Sequence, residues 1–326
     1  MTDLTGGMGP KAWVDTGFGY KVSSIDELMR GVSRIGTLAA GRRYVWRGVP
    51  DSRYRISSSL VRALTEELGR PPSELELRER ELALIRTARQ WGVALDVPWG
   101  SDLHVLAQLQ HHGIPTRLLD VTSNPITALW FACQRTSKTG DAAGALIAFD
   151  VTDLPEFQTV EPGGSGTYGG LADPLGWPLR VALNTAARDE APFLVTPTIR
   201  DARMQAQEGL FLSGVVPLAA SVPGMDGLHR PPGRLPTATT IKSLFGAAKG
   251  PGKPISLPMC VLVIPTTVKK PMRTHLESTY NRSRRVLFPD IGGMREAVEG
   301  DHIALQAPGP VVAAYDDLES FFPAAE

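Results

Sequence analysis

The chain contains very little cysteine: Cys133 and Cys260 are the two cysteines among its 326 residues. Both lie within apolar runs, so we expect reduced core residues rather than a disulfide framework or a cysteine-based zinc site. An excess of charge of one sign is also lacking, because 34 Lys and Arg residues balance 34 Asp and Glu residues. A general attraction to nucleic acid or to an anionic membrane is therefore not predicted.

Long hydrophobic runs are missing as well. The longest apolar runs, such as residues 259–264, are too short to span a bilayer, and no basic-then-apolar signal peptide opens the sequence. We therefore expect a cytoplasmic protein without a membrane partner. The sequence has no Gly-x-x-x-x-Gly-Lys phosphate loop and no Gly-x-Ser-x-Gly nucleophile elbow. It also lacks His-x-x-x-His spacing, so no metal site is expected.

Helix and strand signals are mixed along the chain. A Ser73–Glu76 capping box starts a helix, Ser101 caps another that Gly113 ends, and Asn124 followed by Pro125 begins a third. Strands are predicted at residues 43–49, 144–149, 259–264 and 311–315. No regular βαβ rhythm is present. We predict an α/β (α+β) fold with a central, mostly antiparallel sheet and helices packed around it.

Glycine and proline mark the predicted domain boundaries. Residues 1–19 are glycine-rich, and we expect a flexible N-terminus before one domain over residues 20–326. Residues 161–180 and 222–256 are rich in Gly and Pro, and we interpret both as long surface loops or insertions in that domain.

Arg47 lies near the end of the predicted strand at 43–49 and is followed by Gly48. An arginine cannot lose its charge, so in such a place it must find an anion or carbonyl groups. One interpretation is bidentate recognition of a phosphate or carboxylate, with Gly48 allowing a ligand or another backbone to approach closely. The other is a structural arginine paired with a core carboxylate such as Asp120, which the dipeptide alone favours.

Residues 110–125 carry the densest polar cluster of the sequence. Its members include His111, His112, Thr116, Arg117, Asp120, Thr122 and Asn124. Burying such a cluster is costly unless its members pair with one another or with a ligand. Adjacent histidines point to different sides of a helix, so at most one of them faces a given pocket. A binding site and a hydrogen-bonded connection between two helices are both compatible with the pattern.

The segment 203–211 is polar and then apolar, with Gly209 at the change. Gln207 or Glu208 could reach a ribose hydroxyl there. A helix end followed by a strand explains the same pattern, and the residues alone favour that interpretation.

Taken together, these blocks resemble the FRG domain, a family named for Phe-Arg-Gly. The resemblance covers roughly residues 24–300, with Trp in place of Phe in the first block and Val121 where the family often has Trp. The matching blocks are Trp46-Arg47-Gly48, Ser59-Leu60-Val61-Arg62, His112–Asp120 with Thr122, Asn124, Pro125 and Ala128, the Arg203, Gln207, Gly209 and Phe211 block, Val263-Ile264-Pro265, and Leu287–Asp290 with Gly292.

The family resemblance implies an effector of bacteria or phages in a toxin or anti-phage defence setting. A strand-borne aromatic-Arg-Gly is also similar to the first motif of Arg-Ser-Glu ADP-ribosyltransferases, which implies an ADP-ribosyltransferase-like fold and NAD as substrate. By that likeness Ser57–Ser59 stand for the middle motif. The implied catalytic residues are Arg47, His112, Asp120, Gln207 and Glu208. The implied NAD-binding residues are Arg47, Gly48, Ser59, Arg62, Thr116, Arg117, Thr122 and Asn124.

The first hypothesis is therefore an NAD-dependent ADP-ribosyltransferase or NAD glycohydrolase. Arg47 and Arg117 would bind the diphosphate, and Asp120 or Glu208 would stabilise an oxocarbenium-like centre as nicotinamide leaves. His112 would assist proton transfer. The acceptor of ADP-ribose, whether a protein or a nucleic acid, is left open, as is an antitoxin or defence partner.

Two alternatives use the same cluster differently. A non-catalytic nucleotide-sensing module would need the Arg, Thr and Asn side chains but no positioned carboxylate. A nuclease would use His112 and Asp120 as catalytic groups, with Arg282, Arg284 and Arg285 on phosphates. The absence of metal-ligand spacing and of net charge ranks the nuclease last.

Overall fold

The computed structural model describes residues 7–38, 41–93, 101–136, 140–159, 178–219, 222–236, 241, 245 and 257–299. These residues contain eight strands and eleven helices. The strands are β1 (Gly19–Lys21), β2 (Tyr44–Val49), β3 (Leu119–Thr122), β4 (Gly144–Asp150), β5 (Glu156–Gln158), β6 (Phe193–Thr196), β7 (Gly209–Ser213) and β8 (Met259–Ile264).

The helices surround this sheet, and several begin at the caps that the sequence predicts. Ser73, Ser101 and Asn124 each accept a hydrogen bond from the first turn of the helix that they precede. The helices are α1 (Gly9–Asp15), α2 (Ile25–Leu38), α3 (Ser59–Leu68), α4 (Glu74–Gln90), α5 (Asp102–His111), α6 (Pro125–Cys133), α7 (Leu179–Asp189), α8 (Ala202–Ala206), α9 (Thr266–Tyr280), α10 (Arg284–Leu287) and α11 (Ile291–Glu299).

The eight strands form one sheet in the order β1-β8-β4-β2-β3-β7-β6-β5. The β1–β8 and β5–β6 pairs are parallel and the other five pairs are antiparallel. The mixed fold with a mostly antiparallel sheet is therefore confirmed. The sheet is weakest between β2 and β3, where a single residue pair, Trp46 with Thr122, joins the two strands.

Both faces of the sheet centre are buried. On β4, Leu146 and Ala148 belong to the core on one face, while Ala145 and Ile147 belong to the core on the other. The same alternation runs along β8. Strands covered on both sides read as continuous apolar runs, which is why β4 and β8 are apparent in the sequence.

Helix α6 packs unusually close to the sheet because two strand positions are glycine. A Cβ atom at Gly48 of β2 would lie 1.7 Å from the carbonyl oxygen of Ala128, and one at Gly144 of β4 would lie 2.1 Å from that of Ala132. No side chain fits into either space. Of the two roles considered for Gly48, the approach of another backbone is the one that the structure shows.

The structure corrects several expectations. Residues 7–19 are not flexible chain: α1 lies within them, β1 begins at Gly19, and Trp13 is fully buried with its indole N–H donating to the Ser52 carbonyl at 2.8 Å. Within the second predicted insertion, Val222, Met225 and Leu228 are core residues rather than surface loop. Residues 161–177 and the strand predicted at 311–315 lie outside the described residues.

Candidate functional site

A cleft of about 280 Å³ opens where β2 and β3 diverge. Since one residue pair joins these strands, the backbone beyond it separates and leaves room for a ligand. Strands β2, β3 and β7 and helices α5, α6 and α8 all contribute to its walls. The lining residues are Trp46, Arg47, Gly48, Gln110, His111, Asp120, Val121, Thr122, Ala128, Phe131, Arg203, Met204, Gln207, Gly209, Leu210 and Phe211.

Arg47 crosses the gap between the two strands. Its Nη1 atom donates to the Asp120 carbonyl oxygen at 2.6 Å and lies 3.9 Å from Asp120 Oδ2. Burial lowers the pKa of Arg47; Asp120 offsets part of this effect, and neighbouring Arg62 adds to it. The guanidinium is thus largely withdrawn from water without a carboxylate in direct contact, an environment that an added anion would stabilise.

Asp120 is held from the other side by a short relay of hydrogen bonds. The Ser59 and Thr116 hydroxyls donate to Gln110 Oε1 at 3.2 and 2.8 Å, and Gln110 Nε2 donates to Asp120 Oδ2 at 2.8 Å. The Asp120 side chain is nevertheless 60% exposed. A carboxylate that is oriented and yet accessible can act on a ligand in the cleft.

Thr122 and Gln207 shape the wall next to β7. The Thr122 hydroxyl donates to the Gln207 carbonyl at 2.7 Å, and Gln207 Nε2 donates to the Leu287 carbonyl at 3.0 Å. Gln207 therefore lines the cleft with a side chain whose amide is already oriented by the segment around α10. The three predicted site residues Arg47, Asp120 and Gln207 are brought to one cleft, as a single site requires.

Arg203 is a second cation in the cleft. Its guanidinium carbon lies 4.3 Å from the centre of the Phe288 ring, and Arg284 covers the same ring at 5.2 Å. A guanidinium over an aromatic ring is attracted to it, and this contact holds Arg203 in place at the cleft wall. Arg203 belongs to the predicted Arg-x-x-x-Gln-x-Gly-x-Phe block, although no ligand role was assigned to it from the sequence.

Of the two adjacent histidines, His111 faces the cleft and His112 does not. His111 lines the cleft in the last turn of α5, whereas His112 is exposed beyond the end of that helix. The expected catalytic role of His112 is therefore corrected. Adjacent residues on a helix differ by about 100° in direction, so the sequence could limit the choice to one of them but could not decide it.

Arg117 is a core residue and does not reach the cleft. Its side chain is 1% exposed; Nε donates to both carboxylate oxygens of Glu81 at 2.8 Å, and Nη1 donates to Glu74 at 3.2 Å and to the Gly214 carbonyl at 3.1 Å. Burial opposes the charge of Arg117, but Glu81 and Glu74 together raise its pKa. The expectation that Arg117 binds a diphosphate is corrected, because its guanidinium is buried away from the cleft and its charge is compensated by Glu81 and Glu74.

The remaining expected NAD-binding residues support the cleft without lining it. Thr116 is buried and Ser59 begins α3, and both serve the Gln110 relay. Asn124 caps α6 through its oxygen, and its amide donates to Glu208 at 2.7 Å. Arg62 donates to the Ser57 carbonyl.

Two predictions from the resemblance to ADP-ribosyltransferases, the position of the serine run and that of Glu208, do not agree with the geometry of the cleft. Ser58 is the N-cap of α3 and Ser57 is buried, so the serine run lies at a helix start and not on a strand beside the cleft. Glu208, at a φ of +50°, turns the chain from α8 into β7, and its carboxylate accepts from Asn124 and Arg282 outside the cleft lining.

The apolar part of the cleft was missed from the sequence. Trp46, Phe131, Met204 and Leu210 provide apolar surface beside the polar groups, a combination typical of sites for small organic ligands. Each belongs to a segment whose sequence is equally typical of a buried core. Only the opening between β2 and β3 distinguishes these cleft residues from core residues.

Within the described residues, no three His, Cys, Asp or Glu side chains gather as a metal ion would require. None of the helices in this part of the chain combines the length and the apolar character that a bilayer span needs.

The family model of the FRG domain matches residues 42–141. This part of the chain is therefore an FRG domain, as the blocks within it predict, whereas the blocks that follow residue 141 lie outside the match. The matched range contains Arg47, His111 and Asp120, whereas Arg203 and Gln207 come to the same cleft from outside it. No curated protein and no solved structure matches the chain significantly.

Proposed function

We propose that the cleft between β2 and β3 binds NAD and that the protein transfers its ADP-ribose unit to an acceptor or to water. One observation supports this proposal. In a single cleft, Arg47, whose charge is only partly compensated, lies beside Asp120, whose carboxylate is both oriented and accessible. The ligand thus needs an anionic part and, close to it, a centre that becomes positive during reaction.

The anionic part is the diphosphate. Arg47 and Arg203 are the two arginines that line the cleft, and a diphosphate would supply the charge that Arg47 lacks. The cleft volume of about 280 Å³ suits one nucleoside of the dinucleotide with part of its diphosphate rather than the whole molecule. Trp46, Phe131 and Met204 offer the apolar surface for the ring.

The reacting centre is C1′ of the nicotinamide-side ribose. Its bond to the ring nitrogen breaks, the electron pair stays with that nitrogen, and neutral nicotinamide leaves. An oxocarbenium-like sugar cation develops, which Asp120 would stabilise electrostatically in a partly water-excluded site. An effector that consumed or transferred ADP-ribose in this way would suit a toxin or anti-phage defence role with an antitoxin or defence partner.

A non-catalytic nucleotide-sensing module is the second candidate. It is favoured by the position of Glu208, whose carboxylate is paired with Asn124 and Arg282 instead of lining the cleft. The nuclease is less well supported, because Arg282 and Arg284 are paired with Glu208 and Glu296 within the fold.

The test is incubation of the protein with NAD labelled in the adenosine part, with and without cell lysate as acceptor. We expect nicotinamide release or label transfer in the wild type, and a loss of about 100-fold or more in Arg47→Lys and Asp120→Asn. Arg43→Lys is the matched control, because Arg43 pairs with Glu156 near the start of β2, outside the cleft.

Turnover that is unchanged in both cleft variants would contradict the proposal. Nucleotide binding by thermal shift without any turnover, lost in Arg47→Lys and kept in Arg43→Lys, would select the sensing module instead.

A further inference from the structure

His111 and Asp201 form a pair at the edge of the cleft that the transfer step described above does not yet use. We propose that His111, held by Asp201, is the general base that activates the acceptor, and that the acceptor is therefore a hydroxyl group or water. This inference rests on the proposed function and extends it by naming the class of the second substrate.

The geometry of the pair is set by two different helices. His111 Nδ1, in the last turn of α5, lies 3.3 Å from Asp201 Oδ2. Asp201 is itself fixed, because its Oδ1 accepts from the Met204 N–H at 2.8 Å as the N-cap of α8. A carboxylate next to Nδ1 keeps the imidazole proton on that nitrogen, which leaves Nε2 as the proton acceptor. His111 and Asp120 both line the cleft, so the imidazole lies beside the space of the proposed transfer step.

The charged groups around His111 are consistent with a base. Asp201 stabilises the imidazolium that forms when Nε2 takes a proton. The His112 ring lies edge-on to the His111 ring at 5.0 Å between centres, which restricts the orientation of the imidazole. Asp120 of β3 and Arg203 of α8 share the cleft, and they contribute charges of opposite sign.

The transfer step balances with this assignment. As the bond from C1′ to nicotinamide breaks, its electron pair leaves with the neutral nicotinamide. An oxygen lone pair of the acceptor forms the new bond to C1′, and the acceptor's O–H proton passes to His111 Nε2 and then to solvent. A carboxylate or thiolate acceptor would carry no such proton and would not need the histidine, so the pair points to acceptors that must lose a proton, and among these we assign hydroxyl groups and water.

The experiment compares two nucleophiles in His111→Gln and in the wild type. We expect water attack on NAD to fall about 100-fold in the variant. Sodium azide attacks C1′ as an anion and needs no base, so the rate of glycosyl azide formation should stay within about threefold of wild type. The matched control is His275→Gln, because His275 lies on α9 beside Thr279, away from the cleft lining.

Asp201→Asn supplies a second variant. It keeps an oxygen able to cap α8 but removes the carboxylate that faces Nδ1 of His111. Hydrolysis should fall in this variant while glycosyl azide formation stays within about threefold of wild type, whereas a variant that only disturbs the fold would lower both rates.

The outcomes separate the two proposals. A wild type that releases no nicotinamide overturns the proposed function and this assignment with it. If the wild type hydrolyses NAD but His111→Gln hydrolyses it equally fast, only the assignment of His111 is overturned. The same holds if azide attack is as slow in His111→Gln as water attack.

Discussion

Two arginines of the same domain, Arg47 and Arg117, occupy opposite electrostatic environments. Arg117 is surrounded by two carboxylates and a carbonyl group, and its pKa is raised. Arg47 has a carbonyl partner at 2.6 Å and a carboxylate at 3.9 Å, and its pKa is lowered. The charge of Arg117 is therefore compensated by the protein itself, whereas the charge of Arg47 is only partly compensated and would be stabilised by a bound anion.

The difference separates scaffold from site more clearly than burial alone. An arginine whose charge is compensated by carboxylates inside the core contributes to the fold and lies out of reach of a ligand. An arginine that is withdrawn from water but poorly compensated gains most from a bound anion, and it is found at the opening between β2 and β3. Three substitutions test this contrast, from the largest expected effect on stability to the smallest.

Arg117→Met should destabilise the protein most. It leaves Glu81 fully buried without its cation, and breaking a buried ion pair from one side costs about 3–5 kcal/mol. Urea unfolding followed by fluorescence measures the loss. Arg80→Met is the matched control, since its pair with Glu67 is exposed on both sides and should cost about 1 kcal/mol or less. An equal loss in the two variants would refute the scaffold role.

Gly48→Ala should have an intermediate effect. The added Cβ would overlap the Ala128 carbonyl of α6, so the helix must move away from β2 at a cost of about 1–3 kcal/mol. Because Gly48 follows Arg47 directly, the shift also disturbs the cleft. Gly36→Ala in α2 is the control: no atom lies near its Cβ position, and we expect no loss, or a gain of up to about 1 kcal/mol. Thermal unfolding that does not distinguish them would contradict the close packing.

Arg47→Met should change stability least and binding most. Water can satisfy the carbonyl of Asp120, so we expect a loss of about 1 kcal/mol in the free energy of unfolding. The affinity for NAD, measured by calorimetric titration, should fall tenfold or more. Arg43→Met should leave the affinity unchanged. If Arg47→Met unfolds the protein as readily as Arg117→Met, then Arg47 is scaffold as well and the contrast fails.

Much of the local structure follows from the sequence because its signals are short-range. The caps at Ser73, Ser101 and Asn124 act within one helical turn, and the continuous apolar runs of β4 and β8 reflect burial on both faces. The sequence is less informative where the burial of a side chain depends on residues far away along the chain. Trp91 is 85% exposed at the end of α4, while Trp13 is buried by contacts that cross the domain, and the sequence around the two tryptophans does not show this difference.

The candidate site divides in the same way. Five of the expected site residues line the cleft: Arg47, Gly48, Asp120, Thr122 and Gln207. The sequence located the polar segments but not the direction of each side chain in them. Arg117 shows the reason, since its partners Glu74 and Glu81 lie on α4, far away along the chain.

The sequence by itself determined the family of residues 42–141, the helix caps, the buried strands and the segments that carry polar groups. Only the tertiary structure decided which of those groups face a ligand. In the tertiary structure β2 and β3 diverge, Arg117 pairs with two carboxylates, and His111 rather than His112 faces the cleft. The physical reason is that capping and periodicity are properties of neighbouring residues, whereas the compensation of a buried charge depends on what the whole fold brings beside it.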